Sequence, residues 1–229
     1  DRLAALVRTG LLAGAIALVA PAAAALAQAS PAQPTAEERA RIETIVRDYL
    51  LRNPEVLQEA LVELERRQAQ AEERARAEAF QANRTALYRS PNAVVLGNPQ
   101  GDVTVVEFFD YNCGFCKRAL PDTVELLRSD PRLRLVLKDF PVLGPGSVEA
   151  AQVAIAFRMQ AEGAKYFEFH QKLLGGRGQA TRARALEVAR EVGADMARLE
   201  RDMASPKVAE TRAENARLAE LLRINGTPS

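Results

Sequence analysis

Val103-Thr104-Val105-Val106-Glu107-Phe108-Phe109-Asp110-Tyr111-Asn112-Cys113-Gly114-Phe115-Cys116 is the stretch on which the reading of this chain turns. Val103 to Phe109 is a β-branched and aromatic run bounded by Gly101-Asp102, the pattern of a buried strand. From Cys116 to Ser129 the apolar positions Leu120, Val124 and Leu127 fall at helical spacing. The only two cysteines of the 229 residues therefore lie at a strand-to-helix junction. Two intervening residues at a helix start bring the sulfurs close enough to form a disulfide. The first thiol also faces unpaired backbone N–H groups, which favour its thiolate, so a redox-active dithiol is expected.

Other readings of Cys-x-x-Cys are weaker. Half of a structural zinc site would need two further ligands, and His170, in a helical pattern, is the one histidine. It reads as an ordinary helix residue, although a metal shared between subunits stays open. A purely structural disulfide across so small a loop would constrain little of the unfolded chain.

Arg2 and Arg8 precede the apolar stretch Leu11 to Ala20, followed by small residues and Ala27-Gln28-Ala29. This is the layout of a secretory signal peptide over residues 1–29, with Ser30 as the mature start. The apolar core is short for a membrane span, which leaves a signal anchor as the alternative. Export to a periplasmic or extracellular compartment, the periplasm being expected, permits disulfide chemistry. The formal net charge of +1, with acids and bases interleaved, carries no nucleic-acid footprint.

Residues 30–90 read as a helical stalk. Thr35 and Glu38 form a capping-box pattern, after which Ile42, Ile45, Val46, Tyr49 and Leu50 share one helical face. Asn53-Pro54 interrupts this helix and starts a second, expected to run to about Tyr88. Leu57, Leu61 and Leu64 begin a coiled-coil stripe that continues more weakly through Gln68, Ala71, Ala75 and Ala82. Self-association through this segment is expected, with a helix folded back on its own domain or a solvated linker as alternatives.

Around the dithiol, Glu107 stands inside the apolar run, read as a central strand. Burial there would raise its pKa and let it exchange protons with a thiol. An edge strand with Glu107 in water is the alternative. Lys138, in the second strand-like run Leu133 to Asp139, is a candidate counter-charge. Gly114-Phe115 supplies no histidine to stabilise the thiolate, so a less extreme oxidant is expected, with Phe115 available to touch apolar clients. Ser147 and Thr181 are candidate helix caps, and Ser205-Pro206 opens a helix ending near Asn225-Gly226.

Val106 to Tyr111, the Cys113–Cys116 motif, Lys138-Asp139-Phe140-Pro141-Val142-Leu143-Gly144 and the final Gly226-Thr227-Pro228 together resemble the DsbA-like, thioredoxin-fold thiol-disulfide oxidoreductases over residues 91–229. The resemblance implies an α/β thioredoxin fold with a helical insertion over about 145–223. It implies Cys113 as nucleophile, Cys116 as buried resolving cysteine and Glu107 as the acid beside them. Pro228 would be a cis-proline, with Thr227 presenting backbone to substrate. The family's core continues past that proline with further strands and a helix absent here, so a partial protein is expected. The N-terminal segment with its Cys-Gly-aromatic-Cys domain resembles ScsC-type proteins associated with copper tolerance, some of which are trimeric isomerases.

The implied activity is disulfide exchange in exported proteins, isomerase or reductase ahead of oxidase, with no cofactor beyond the Cys113–Cys116 disulfide. Implied partners are unfolded or misoxidised secreted proteins, a membrane thiol-disulfide redox partner and further copies of the chain. Thiolate binding of Cu(I), and a structural adaptor with an incidental dithiol, are the readings from other classes.

Overall fold

In this computed structural model residues 34–229 are described; the signal peptide expected over residues 1–29 lies outside them. The chain divides into two units, one ending at Leu61 and the other spanning Val62–Ser229. In the first, helix α1 (Ala36–Arg52) opens with the expected capping box. The Glu38 N–H donates to Thr35 Oγ1 at 3.3 Å, and the Thr35 N–H donates to the Glu38 carboxylate at 2.8 Å. Helix α2 (Glu55–Ala82) begins directly after Pro54. Neither helix buries a residue, and Ile42, Ile45, Tyr49, Leu57 and Leu61 stay exposed.

One helix to about Tyr88 is not what forms. Asn83 leaves helical geometry at φ −108° and ψ 11°, its Nδ2 donating to the Ala79 carbonyl, and a short helix α3 (Arg84–Arg89) follows. An Asn side chain that competes for backbone carbonyls ends a helix without any proline.

Three strands make the described sheet: β1 (Val94–Gly97), β2 (Val103–Phe109) and β3 (Leu133–Asp139), in the order β1-β3-β2. β1 and β3 are antiparallel, while β2 and β3 are parallel and joined by helix α4 (Gly114–Ser129). Among these three strands β3 lies in the middle. On the other side of β2, Ser229 exchanges two backbone hydrogen bonds with Phe108, at 2.8 and 3.1 Å.

Side chains of β2 alternate between two cores. Phe109 joins Leu135, Leu137 and the buried aromatics Phe157, Tyr166 and Phe169; Phe108 joins Leu87, Leu218 and Ala219. Each fully buried phenylalanine contributes roughly 1.5–3 kcal/mol from burial. The large core is supplied by helices α5 (Pro145–Arg158), α6 (Gly163–Leu174), α7 (Arg182–Glu191) and α8 (Met196–Met203). Helix α9 (Pro206–Leu221) covers the opposite face of the sheet with α3.

Thr181 and Ser205 cap α7 and α9 as expected, their side chains accepting from the Arg184 and Lys207 N–H groups. Ser147 does not cap α5. That helix starts earlier, at Pro145, behind Gly144 at φ 109°, a left-handed conformation that suits glycine. Ser147 is buried instead, its hydroxyl accepting from Asn112 Nδ2 at 3.0 Å.

Candidate active site

Cys113 is itself the N-cap of α4, in extended conformation at φ −74° and ψ 116°. Its sulfur accepts the Cys116 N–H at 3.4 Å, one of the donors a helix start leaves unpaired. Its thiol donates to the Thr227 carbonyl at 3.1 Å, across a loop whose Thr227–Pro228 peptide is cis. Both cysteines are free thiols. Cys113 keeps 4% of its surface accessible and Cys116 none.

The two sulfurs differ in acidity. Burial pushes the Cys113 thiol up, but hydrogen bonding with the Thr227 side chain and with the N–H groups of Cys116 and Phe115 outweighs it, leaving Cys113 below the ordinary thiol value. For Cys116 burial dominates and pushes the thiol up to about 12. One sulfur ionises readily and its neighbour holds its proton, an asymmetry suited to attack by the first and delayed resolution by the second.

Phe115 projects outward, 67% exposed, with the Arg118 guanidinium 4.1 Å above its ring. At Gly114 a Cβ would meet only Arg118, at 3.8 Å, so no steric demand requires glycine there. Glu107 is half-buried on β2, and desolvation raises its carboxyl above the usual range. No hydrogen bond joins it to either thiol among the described residues.

Lys138 is not its counter-charge. The register pairs Lys138 with Phe108, on the face of β2 opposite Glu107, and its ammonium reaches Glu214 on α9 at 3.1 Å and the Ala86 carbonyl at 2.9 Å. Alternation along adjacent strands sets that separation, and a count of residues from the motif does not expose it.

Three residues beside the dithiol went unnoticed in the sequence. The buried Asp110 carboxylate accepts the N–H groups of Asn112, Val142 and Leu143 at 2.8, 2.9 and 3.0 Å, fixing the loop after β3 to the motif. Asn112 and Ala180 exchange two hydrogen bonds, at 2.7 and 3.0 Å. The Lys117 ammonium donates to the Gly176 and Gly178 carbonyls, both at 3.1 Å. An acid and an amide flanking a cysteine are a signal, but partners 32 to 68 positions away are not.

Behind this layer Tyr111, Tyr166 and His170 form a buried polar group. The Tyr111 hydroxyl lies 3.4 Å from the Tyr166 hydroxyl and 3.3 Å from His170 Nδ1. His170 is thus a buried core residue, its ring packed 4.8 Å from that of Phe109.

Thiol–disulfide exchange is the chemistry open to an acidic thiol at a helix start in a thioredoxin-type fold. The DSBA-like thioredoxin domain matches residues 104–229, more than half of the chain, and the chain belongs to that family. The copper resistance protein ScsC N-terminal domain matches residues 38–71, joining the two segments as the sequence resemblance implied.

A thioredoxin-like oxidoreductase from Silicibacter pomeroyi is 50% identical, with a TM-score of 0.60, covering 64% of this chain and 83% of its own. ScsC from Proteus mirabilis in a compact conformation is 25% identical, with a TM-score of 0.59, covering 82% of this chain and 92% of its own. Among curated proteins, Na(+)/H(+) antiporter NhaA 1 from Salinispora arenicola is 31% identical over 137 residues, or 59% of this chain. The chain spans about a fifth (21%) of the length of the curated relatives it matches. No described helix is long and apolar enough to cross a membrane.

Proposed function

We propose that the protein rearranges disulfides in exported proteins, as an isomerase or reductase assembled from several copies. The observation that carries this reading is the opposed acidity of the two thiols at the start of α4. Thiolate Cys113 attacks one sulfur of a client disulfide, forming a mixed disulfide and releasing the other client sulfur as a thiolate. Either a client thiolate then attacks the client sulfur of that bond, returning Cys113 with no net redox change, or Cys116 loses its proton and attacks Cys113. The second route releases the client as a dithiol and leaves the Cys113–Cys116 disulfide.

Glu107 serves as the acceptor of the Cys116 proton, a role supported by its raised pKa on the strand that leads into the motif. Thr227 and Pro228 receive the client backbone, and Phe115 meets its apolar side chains. A membrane thiol donor in the periplasm returns the dithiol to its reduced form. Assembly through residues 30–90 is supported by the exposed apolar positions of α1 and α2 and by the ScsC-type segment. Several dithiols on one tethered client raise the effective concentration of exchange.

Two measurements test this. Equilibration with glutathione is expected to give a potential well below that of a strong oxidant. A protein with scrambled disulfides is expected to regain its native pairing with the reduced chain, and to regain much less with a chain lacking residues 30–71, which keeps Phe80, Ala86 and Leu87 of the small core. A strongly oxidising potential together with no isomerisation would move the assignment to an oxidase.

A further inference from the structure

We propose that the rim around Cys113 selects acidic client segments, so that exchange runs fastest on cysteines flanked by Asp or Glu; this rests on the dithiol-exchange reading above. Four stretches are tied to the segment that carries the reactive thiol. Residues 111–118 carry the motif itself. Residues 175–182 are clamped onto it from both sides, by the paired hydrogen bonds between Asn112 and Ala180 and by Lys117 at the Gly176 and Gly178 carbonyls. Residues 141–146 are tied in through the Asp110 carboxylate, and residues 226–229 through the Thr227 carbonyl on Cys113.

These stretches hold Lys117, Arg118, Arg177 and Arg182 and not one Asp or Glu. Asp110, at their border, is buried and accepts three backbone N–H groups, so it offers a client nothing. Glu149, outside these stretches, accepts the Arg182 backbone N–H at 3.4 Å. Arg118 and Arg177 are exposed and form no ion pair among the described residues. Arg118 is held over the Phe115 ring, and Phe115, Val142 and Leu143 expose apolar surface on the same stretches. A same-sign field at a partly apolar cleft draws in one charge of client and repels the other.

The test uses the reduced full chain and two peptides, each with one cysteine disulfide-bonded to the same aromatic thiol. They are identical except for two flanking Glu or two flanking Lys. Each exchange rate is divided by the same peptide's rate with dithiothreitol, which removes its intrinsic reactivity. The Glu peptide is expected to react about three- to tenfold faster at low salt, the scale of a few exposed charge pairs. That ratio should fall toward one in 1 M salt, where the screening length is about 3 Å. It should invert in Arg118→Glu/Arg177→Glu and shrink in Arg118→Gln/Arg177→Gln. Equal normalised rates in the parent, or a ratio untouched by both double variants, overturns the proposal. If neither peptide exchanges at all the dithiol reading is overturned, and the proposal with it.

Discussion

Asp139 and His170 are both buried, and burial drives them to opposite ends of the pH scale: Asp139 up to about 7, His170 down to about 3. Both are then neutral near pH 6, which is why neither needs a counter-ion in the apolar core. Asp139 Oδ1 has no hydrogen-bond partner, as suits an uncharged carboxyl better than a carboxylate. A raised folded pKa gives stability that is complete below the unfolded value near 4 and is lost as pH climbs through 7. Asp139→Asn is therefore expected to flatten that alkaline limb. The variant should exceed the parent at pH 8 by at most about 4 kcal/mol in urea unfolding, the gap closing toward pH 4. His170 has the reverse sign. Its depressed pKa gives stability present above about 6.5 and lost as pH falls toward 3. His170→Phe should remove this acid limb, worth at most about 5 kcal/mol, with Tyr111 retaining Tyr166 at 3.4 Å. At this scale the sequence showed the dithiol clearly, because its reactivity is local to one helix start. It hid Asp139 and His170, because their state depends on packing supplied by distant helices.

A buried ion pair joins β3 to α9. Lys138 has no accessible side-chain surface, and its ammonium is satisfied by Glu214 and by the Ala86 carbonyl on α3. Asn92 donates to the other Glu214 oxygen at 2.6 Å, so one carboxylate ties together three parts of the small core. Removing it strands a desolvated ammonium. Glu214→Ala is expected to cost about 3–5 kcal/mol in chemical denaturation, and Lys138→Met in the same chain should restore much of that loss. If Glu214→Ala costs under about 1 kcal/mol, Lys138 has found water and the pair is not what fastens α9. Elements with strong periodicity were legible in advance: β3 and α4 follow their apolar patterns closely, whereas β2 forms but leaves Val103 and Val105 exposed, and α9 stops at Leu221, short of Asn225-Gly226. β1 is only four residues long, Val94–Gly97, and α8 spans eight, so neither offers enough repeats to separate strand or helix from loop. The partner of Lys138 was equally hidden, since Glu214 lies 76 positions away on a helix whose docking face depends on the whole sheet.

The N-terminal helices pose a problem that a single copy leaves unsolved. α1 and α2 bury no residue, although α1 presents Ile42, Ile45, Val46 and Tyr49 at helical spacing and α2 presents Leu57, Leu61 and Leu64. Intrinsic propensity gives such helices little stability in water; burial of an apolar face normally supplies it. Such stripes are rimmed by charge, with Glu63 bonded to Arg66 and Arg67 at 2.7 Å, and these surface pairs add little stability by themselves. They suit the margin of a helix–helix seam, where e and g positions flank apolar a and d positions. Assembly of copies through this segment would bury the stripe and make α1 and α2 cooperative. Ile45→Asp with Leu61→Asp places a carboxylate in each stripe. The expected result is a monomer by light scattering, with reduced helix content by circular dichroism. Exchange with a small disulfide should stay within about twofold of the parent, because the dithiol draws its acidity from α4 and Thr227 alone. Isomerisation of a scrambled protein should fall steeply, because it needs several dithiols near one client. An oligomer that survives both substitutions would place the seam elsewhere. A monomer that still isomerises at the parent rate would separate assembly from activity and leave each dithiol working alone.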